Sequence, residues 1–219
     1  MTEREIDLEG PLTPGLLVRP RNAKALYVLA HGAGAGMRHA FMRSIAEALA
    51  DHAIATLRWE FPYMAANKPR PDAPAVAEAA VRAAWTASAK IARSLPRFAG
   101  GKSFGGRMTS RAHAASPLPD VRGLIFLGFP LHPPEQPGIE RAEHLTSAAG
   151  PLLFLQGTRD DLADLKLLRP VVKKLGARAT LHIVEHADHG FDVLVRSGRK
   201  PADVLDELAT AIADWIARH

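Results

Sequence analysis

A chain of 219 residues that is 47% apolar and 23% charged has the make-up of a soluble globular protein, with enough length for a sheet covered on both faces. It has no cysteine, which excludes disulfides, thiolate metal sites and a cysteine nucleophile. A net charge of +5 with a pI near 9.8 would suit a nucleic-acid partner, but the basic residues are scattered, with no run longer than Lys173-Lys174, and aromatics are only 6%. A solvated basic surface is therefore expected, and no nucleic-acid partner.

Met1 to Gly10 alternates charges and has no apolar segment of the kind that directs secretion, and no apolar run approaches a membrane span. The expectation is a cytoplasmic protein with no membrane partner. Glu5-Ile6-Asp7-Leu8 and Leu16-Leu17-Val18, separated by Pro11, Pro14 and Gly15, suggest a hairpin at a sheet edge. Lys24 to Ala30 is a continuous apolar run, as in a parallel strand buried on both faces, and it ends in His31-Gly32-Ala33-Gly34-Ala35-Gly36. Phe41 to His52 has helical spacing, and Ala53 to Leu57 reads as a strand running into Arg58-Trp59-Glu60-Phe61-Pro62-Tyr63. Ala65 to Pro74 reads as a loop, and Ala75 to Leu95 as a long helix stopped by Pro96.

Phe98-Ala99 then leads into Gly101-Lys102-Ser103-Phe104-Gly105 and a helix reaching about Ala115. Strand, G-x-S-x-G and helix in that order make a nucleophile elbow. A serine hydroxyl attacks a carbonyl only if it stands clear of the sheet, which requires a sharp turn at Ser103 and no side chains at 101 and 105. A phosphate-binding loop ending in Gly101-Lys102-Ser103 would need glycine at position 96, which is Pro96. Gly123 to Leu127 is a further strand, Gly128 to Gly138 is irregular because of its prolines, and a short helix is expected near Ile139 to Ser147. Pro151 to Leu155 is a strand leading to Asp160-Asp161, followed by a helix over Leu162 to Leu175 that contains Pro170. Thr180 to Glu185 is a strand that precedes His186-Ala187-Asp188-His189, and Ala202 to Ala217 is a closing amphipathic helix. Strands alternating with helices predict an α/β fold, a doubly wound, mostly parallel sheet, as a single domain over residues 1–219.

In such a sheet functional groups gather at the carboxyl ends of strands. Ser103, Asp160 and His189 each follow a strand, in the chain order Ser, acid, His of an acyl-transfer triad. The chain thus resembles an α/β-hydrolase. His-Gly-Ala-Gly-Ala-Gly and Gly-Gly-Lys-Ser-Phe-Gly-Gly-Arg resemble the small KANL/Tex-like branch of hydrolases, relatives of the dienelactone hydrolases. The chain departs from better characterised esterases in lacking a long cap insertion, so a fold with minimal or no cap is expected.

The chemistry then assigns Ser103 as nucleophile, His189 as proton carrier and Asp160 as its orienting acid, with the backbone N–H groups of Ala33 and Phe104 receiving the oxyanion. Asp161 is the rival acid, but it immediately precedes the expected helix and reads as its N-cap. His31 reads as a loop anchor, and Asp188 as a residue that shapes its turn. Tyr63, His132 and Lys102 are candidate pocket residues, and Lys102, Arg107 and Arg58 could favour an acidic substrate. His182-Ile183-Val184-Glu185-His186 matches the H-x-x-E-H metal signature, but on a strand Glu185 faces away from both histidines, so no metal is expected. No organic cofactor is implied. The reaction expected is hydrolysis of a small ester, thioester or lactone through an acyl-enzyme, by a chain that could form a homodimer. A silent scaffold acting as an interaction module is the alternative.

Overall fold

Apolar strands with no polar face must be covered on both sides, and the chain supplies this cover by placing helices between them. In the computed structural model, which describes residues 3–8 and 14–219, the strands are β1 Glu3–Ile6, β2 Gly15–Val18, β3 Ala25–Ala30, β4 Ile54–Trp59, β5 Arg97–Lys102, β6 Val121–Leu127, β7 Leu152–Gly157 and β8 Ala179–Val184. The helices are α1 Ala40–Asp51, α2 Pro62–Ala65, α3 Pro74–Ala92, α4 Phe104–Ala115, α5 Leu165–Leu175 and α6 Pro201–Ile216. The strands form one sheet in the order β1-β2-β4-β3-β5-β6-β7-β8. β1 and β2 are antiparallel to each other, β2 is antiparallel to β4, and every other pairing is parallel.

Side-chain alternation along β3 divides the core. Leu26, Val28 and Ala30 join the apolar layer under α3, α4 and α5, whereas Ala25, Tyr27 and Leu29 join the layer under α1 and α6. The chain leaves β3 for β4 on one side and returns past it to β5 on the other. That reversal opens a crevice at the carboxyl ends of β3 and β5, the usual ligand position in open parallel sheets.

Several boundaries differ from those expected, each for a local reason. β1 lies two residues earlier than Glu5 to Leu8 because its antiparallel register pairs Glu3 with Val18 and Ile6 with Gly15. Gly10 and Pro11 of the expected hairpin lie outside the described residues. The helix α2 is unexpected in so short and proline-marked a stretch, but Pro62 stands in its first turn, where the missing N–H costs nothing. α3 ends at Ala92 because Arg93 takes a φ of 53°. The helix expected from Leu162 begins at Leu165, capped by Asp164, whose side chain accepts the Lys166 N–H at 2.8 Å. Asp161 is therefore not the cap. Pro170 sits inside α5 without ending it.

Candidate active site

Ser103 stands between β5 and α4 with φ 48° and ψ −114°, left-handed backbone that a serine adopts only where its surroundings impose it. Its N–H donates to the Leu127 carbonyl at 3.0 Å, pinning the turn to β6. The flanking glycines explain how such a turn fits. A Cβ at Gly101 would lie 2.2 Å from the Ala30 carbonyl oxygen, and one at Gly105 would lie 2.5 Å from that of His31. Both contacts are with backbone at the end of β3, so neither can be relieved by a side-chain movement.

Opposite the elbow, a loop after β8 carries His189. Its Nε2 lies 2.8 Å from Ser103 Oγ and its Nδ1 lies 2.8 Å from Asp160 Oδ2. Because a carboxylate only accepts, Nδ1 carries the proton and Nε2 is left to accept from the serine hydroxyl. Asp160, its side chain only 1% exposed, also accepts the Leu162 N–H at 2.8 Å and a hydrogen bond from the Gln156 amide. Gln156 in turn accepts the Phe129 N–H at 3.0 Å, so one buried amide braces the acid against the segment just after β6. The loop of His189 is closed on itself. Asp188 Oδ1 accepts the N–H groups of Gly190 and Asp192, and Phe191 is held at φ 68°.

The third component is the loop after β3. His31 is fully buried; its Nδ1 donates to the Gly32 carbonyl at 2.7 Å and its Nε2 accepts the Phe61 N–H at 3.0 Å. Burial lowers its pKa, so it stays a neutral anchor. Phe104 opens α4, and its N–H has no acceptor within the helix. Together these elements enclose a cavity of about 610 Å³, lined by Ser103 and His189, the Gly32 to Ala35 loop, and apolar walls from Phe41, Met42, Phe191, Val204 and Leu205. The Phe41 and Phe191 rings are stacked, with centroids 5.7 Å apart.

An alpha/beta hydrolase domain family model matches residues 23–217. The chain belongs to the alpha/beta hydrolase domain family. Among solved structures it is similar to a dienelactone hydrolase from Anabaena variabilis, at 20% identity over 100% of this chain and 98% of that one, with a TM-score of 0.76. It is also similar to an alpha-beta serine hydrolase homologue from Coxiella burnetii, at 19% identity over 96% of each chain and a TM-score of 0.74. A lid-free α/β serine hydrolase from Xanthomonas campestris matches at 18% identity over 97% of this chain and 94% of that one, with a TM-score of 0.70. In this hydrolase domain, too, the residues between β6 and β7 carry only a 3-10 turn, Glu140–Thr146, rather than a cap.

The remaining candidate residues of the hydrolase domain divide. Ala33, Ser103, Lys102 and His189 line the cavity; Tyr63, His132, Arg58 and Arg107 do not. Tyr63 is instead buried behind the loop, where its hydroxyl donates to the Ala33 carbonyl at 2.8 Å. Burial, with Asp72 and Glu60 nearby, pushes its pKa up to about 12, so it remains a donor. His132 is buried in the proline-rich segment, with Nδ1 donating to the Pro133 carbonyl at 2.8 Å and Nε2 accepting the Asp164 N–H at 3.3 Å. Arg58 lies within the sheet, paired with Glu3 and donating to the Met37 carbonyl at 2.9 Å. His182 bonds Glu207 of α6 at 2.7 Å, and no group of three acidic or imidazole side chains suited to a metal occurs among the described residues. Gln156 was missed in the sequence, although a lone amide at the end of the apolar run Leu152 to Leu155 is the signal that could have marked it.

Proposed function

We propose that the protein is a serine hydrolase that cleaves a small uncharged ester, thioester or lactone through an acyl-enzyme. The observation that carries this reading is the unbroken chain from Ser103 Oγ to His189 Nε2 and from Nδ1 to Asp160, each link 2.8 Å long, at the floor of an open cavity. His189 removes the hydroxyl proton as Ser103 attacks the carbonyl carbon, and then delivers it to the leaving oxygen or sulfur. Asp160 holds the imidazole in the tautomer the step requires and stabilises its cation. The N–H of Phe104 and that of Ala33 receive the developing oxyanion, helped by the positive end of α4. Water activated by His189 then releases the acid.

The lining supports the substrate class. Its one lysine is already hydrogen-bonded to protein, its aspartate, Asp192, repels anions, and most of the rest is apolar. Hydrolysis of p-nitrophenyl acetate by the wild type, compared with Ser103→Ala, tests the reading. A fall of up to six orders of magnitude in kcat is expected, about the loss seen when a triad nucleophile is removed, and a fluorophosphonate should label Ser103. Equal slow rates with no labelling would overturn the proposal.

A further inference from the structure

Lys102 is the residue just before Ser103, and its side chain runs back beneath the cavity to an element 87 positions away, where Nζ donates to the backbone carbonyl of His189. The ammonium lies 5.2 Å from the centre of the Phe191 ring and 5.9 Å from that of Phe41. It also borders Gly128, where an added Cβ would meet Lys102 Nζ at 3.0 Å and both Asp160 Oδ2 and His189 Cε1 at 3.5 Å. We propose that Lys102 is a positioning residue for His189, tying the backbone of the histidine to the strand that carries the serine. The inference rests on Ser103 and His189 acting together as described above.

The geometry accounts for three fixed points on one residue. Asp160 holds Nδ1, Ser103 meets Nε2, and Lys102 holds the main-chain oxygen. The hydrogen bonds of the loop itself close it locally, and those from Arg159 to Ala187 and from His186 to Thr158 tie it to the end of β7. The bond from Lys102 joins it to β5, so it bears on the distance between hydroxyl and imidazole.

A cation here is costly for the fold. Lys102 forms no ion pair within 4.0 Å among the described residues, and burial lowers its pKa to about 8 against the opposing pull of Asp160 and Asp188. Packing alone would be served as well by an unbranched apolar side chain. The aromatic pair partly offsets the lost hydration through its ring faces. The groups facing the imidazole are Ser103, Asp160 and Lys102, with Asp188 and Asp192 on its own loop and His39 on the cavity wall. Replacing the ammonium with a neutral group therefore favours the imidazolium and moves the acid limb of the rate profile to higher pH.

The test compares the wild type with Lys102→Met, Lys102→Gln and Lys102→Arg in the full chain, measuring kcat and KM for p-nitrophenyl butyrate from pH 5.5 to 9.5 together with Tm. For Lys102→Met, kcat should fall roughly 10- to 100-fold, the loss of one charge-assisted hydrogen bond. KM should stay within about threefold, the acid limb should rise in pH, and Tm should hold or increase. Lys102→Arg, which keeps charge and donor, should recover part of kcat. Opposite movement of Tm and kcat separates positioning from a structural role. A folded Lys102→Met with wild-type kcat and an unmoved acid limb overturns the proposal, as does a joint fall of kcat and Tm with no shift of that limb. If Lys102→Met does not fold, Lys102→Gln is read by the same criteria, and failure of both to fold also overturns it. Ser103-dependent labelling of the wild type tests the parent reading separately, so the two can fail independently.

Discussion

At the residue scale, Tyr63 shows how a side chain outside the cavity can govern its chemistry. Its hydroxyl, held neutral by burial, bonds the Ala33 carbonyl and so sets the height of the loop whose N–H is proposed to meet the oxyanion. Tyr63→Phe removes that bond and leaves the ring packing intact. Stability should fall by about 1 kcal/mol, the net worth of one hydrogen bond. With the donor displaced rather than lost, kcat on p-nitrophenyl acetate should fall about tenfold, at nearly constant KM. An unchanged kcat would show that the loop keeps its place without the hydroxyl.

The same residue marks a limit of what the sequence conveys. That Ser103, Asp160 and His189 would meet was legible because each type follows a strand in an order that one reaction demands. Tyr63 and His132 were legible as polar residues in loops near the site, but not by role. Which way a loop side chain turns depends on partners distant in the chain, here Ala33 and Asp164. Gln156 escaped notice because its task, bracing Asp160 against Phe129, exists only once β6 and β7 are neighbours.

At the scale of elements, the packing of α4 against β3 depends on the absence of a side chain. Gly105→Ala places a methyl 2.5 Å from the His31 carbonyl oxygen and 2.7 Å from the carbonyl group of Ala30, so helix and strand must part. The expected result is a loss of several kcal/mol in stability or failure to fold. Gly34→Ala is the control: an added Cβ there meets nothing within 4 Å, and Tm should be nearly unchanged. Denaturant melts of the two variants check both expectations, and equal stabilities would refute the account of the elbow glycines.

The strands of the inner sheet were readable because each is an apolar run closed by glycine or polar residues, and the helices because of their period. Their ends were less so. The cap of α5 moved from Asp161 to Asp164 because both precede the same apolar residues, and the choice falls to how Asp160 is held by Leu162 N–H and His189. β5 is one-third glycine, Gly100 and Gly101 among its six residues, and carries little strand propensity of its own. It is ordered by parallel pairing with β3 and β6 on both sides, a tertiary cause that local composition does not display.

For the whole molecule, buried titratable groups set a pH window for stability. Burial lowers the pKa values of His31, His113 and His144, the last to about 4 with Arg111 and Arg107 adding to the effect. Below the ordinary value of 6.5 the unfolded chain binds protons that these folded imidazoles refuse, so stability falls as pH drops from 6.5 toward 4. At the other end, burial raises the pKa values of Tyr27 and Tyr63. Above pH 10 the unfolded phenols ionise while the folded ones resist, and stability falls again. Lys102 acts in the opposite sense between about 8 and 10.5, where only the unfolded chain keeps the proton, and so extends the plateau upward. His144→Gln isolates one contribution, because glutamine can still donate to Ser110, the hydroxyl that His144 Nε2 meets at 2.7 Å. Tm measured in steps from pH 7 to 4 should fall less steeply in this variant than in the wild type, with the two curves closest above pH 6.5. Parallel curves across that range would mean that the His144 imidazole accepts its proton in the folded state as readily as in the unfolded chain, and that acid destabilisation arises elsewhere.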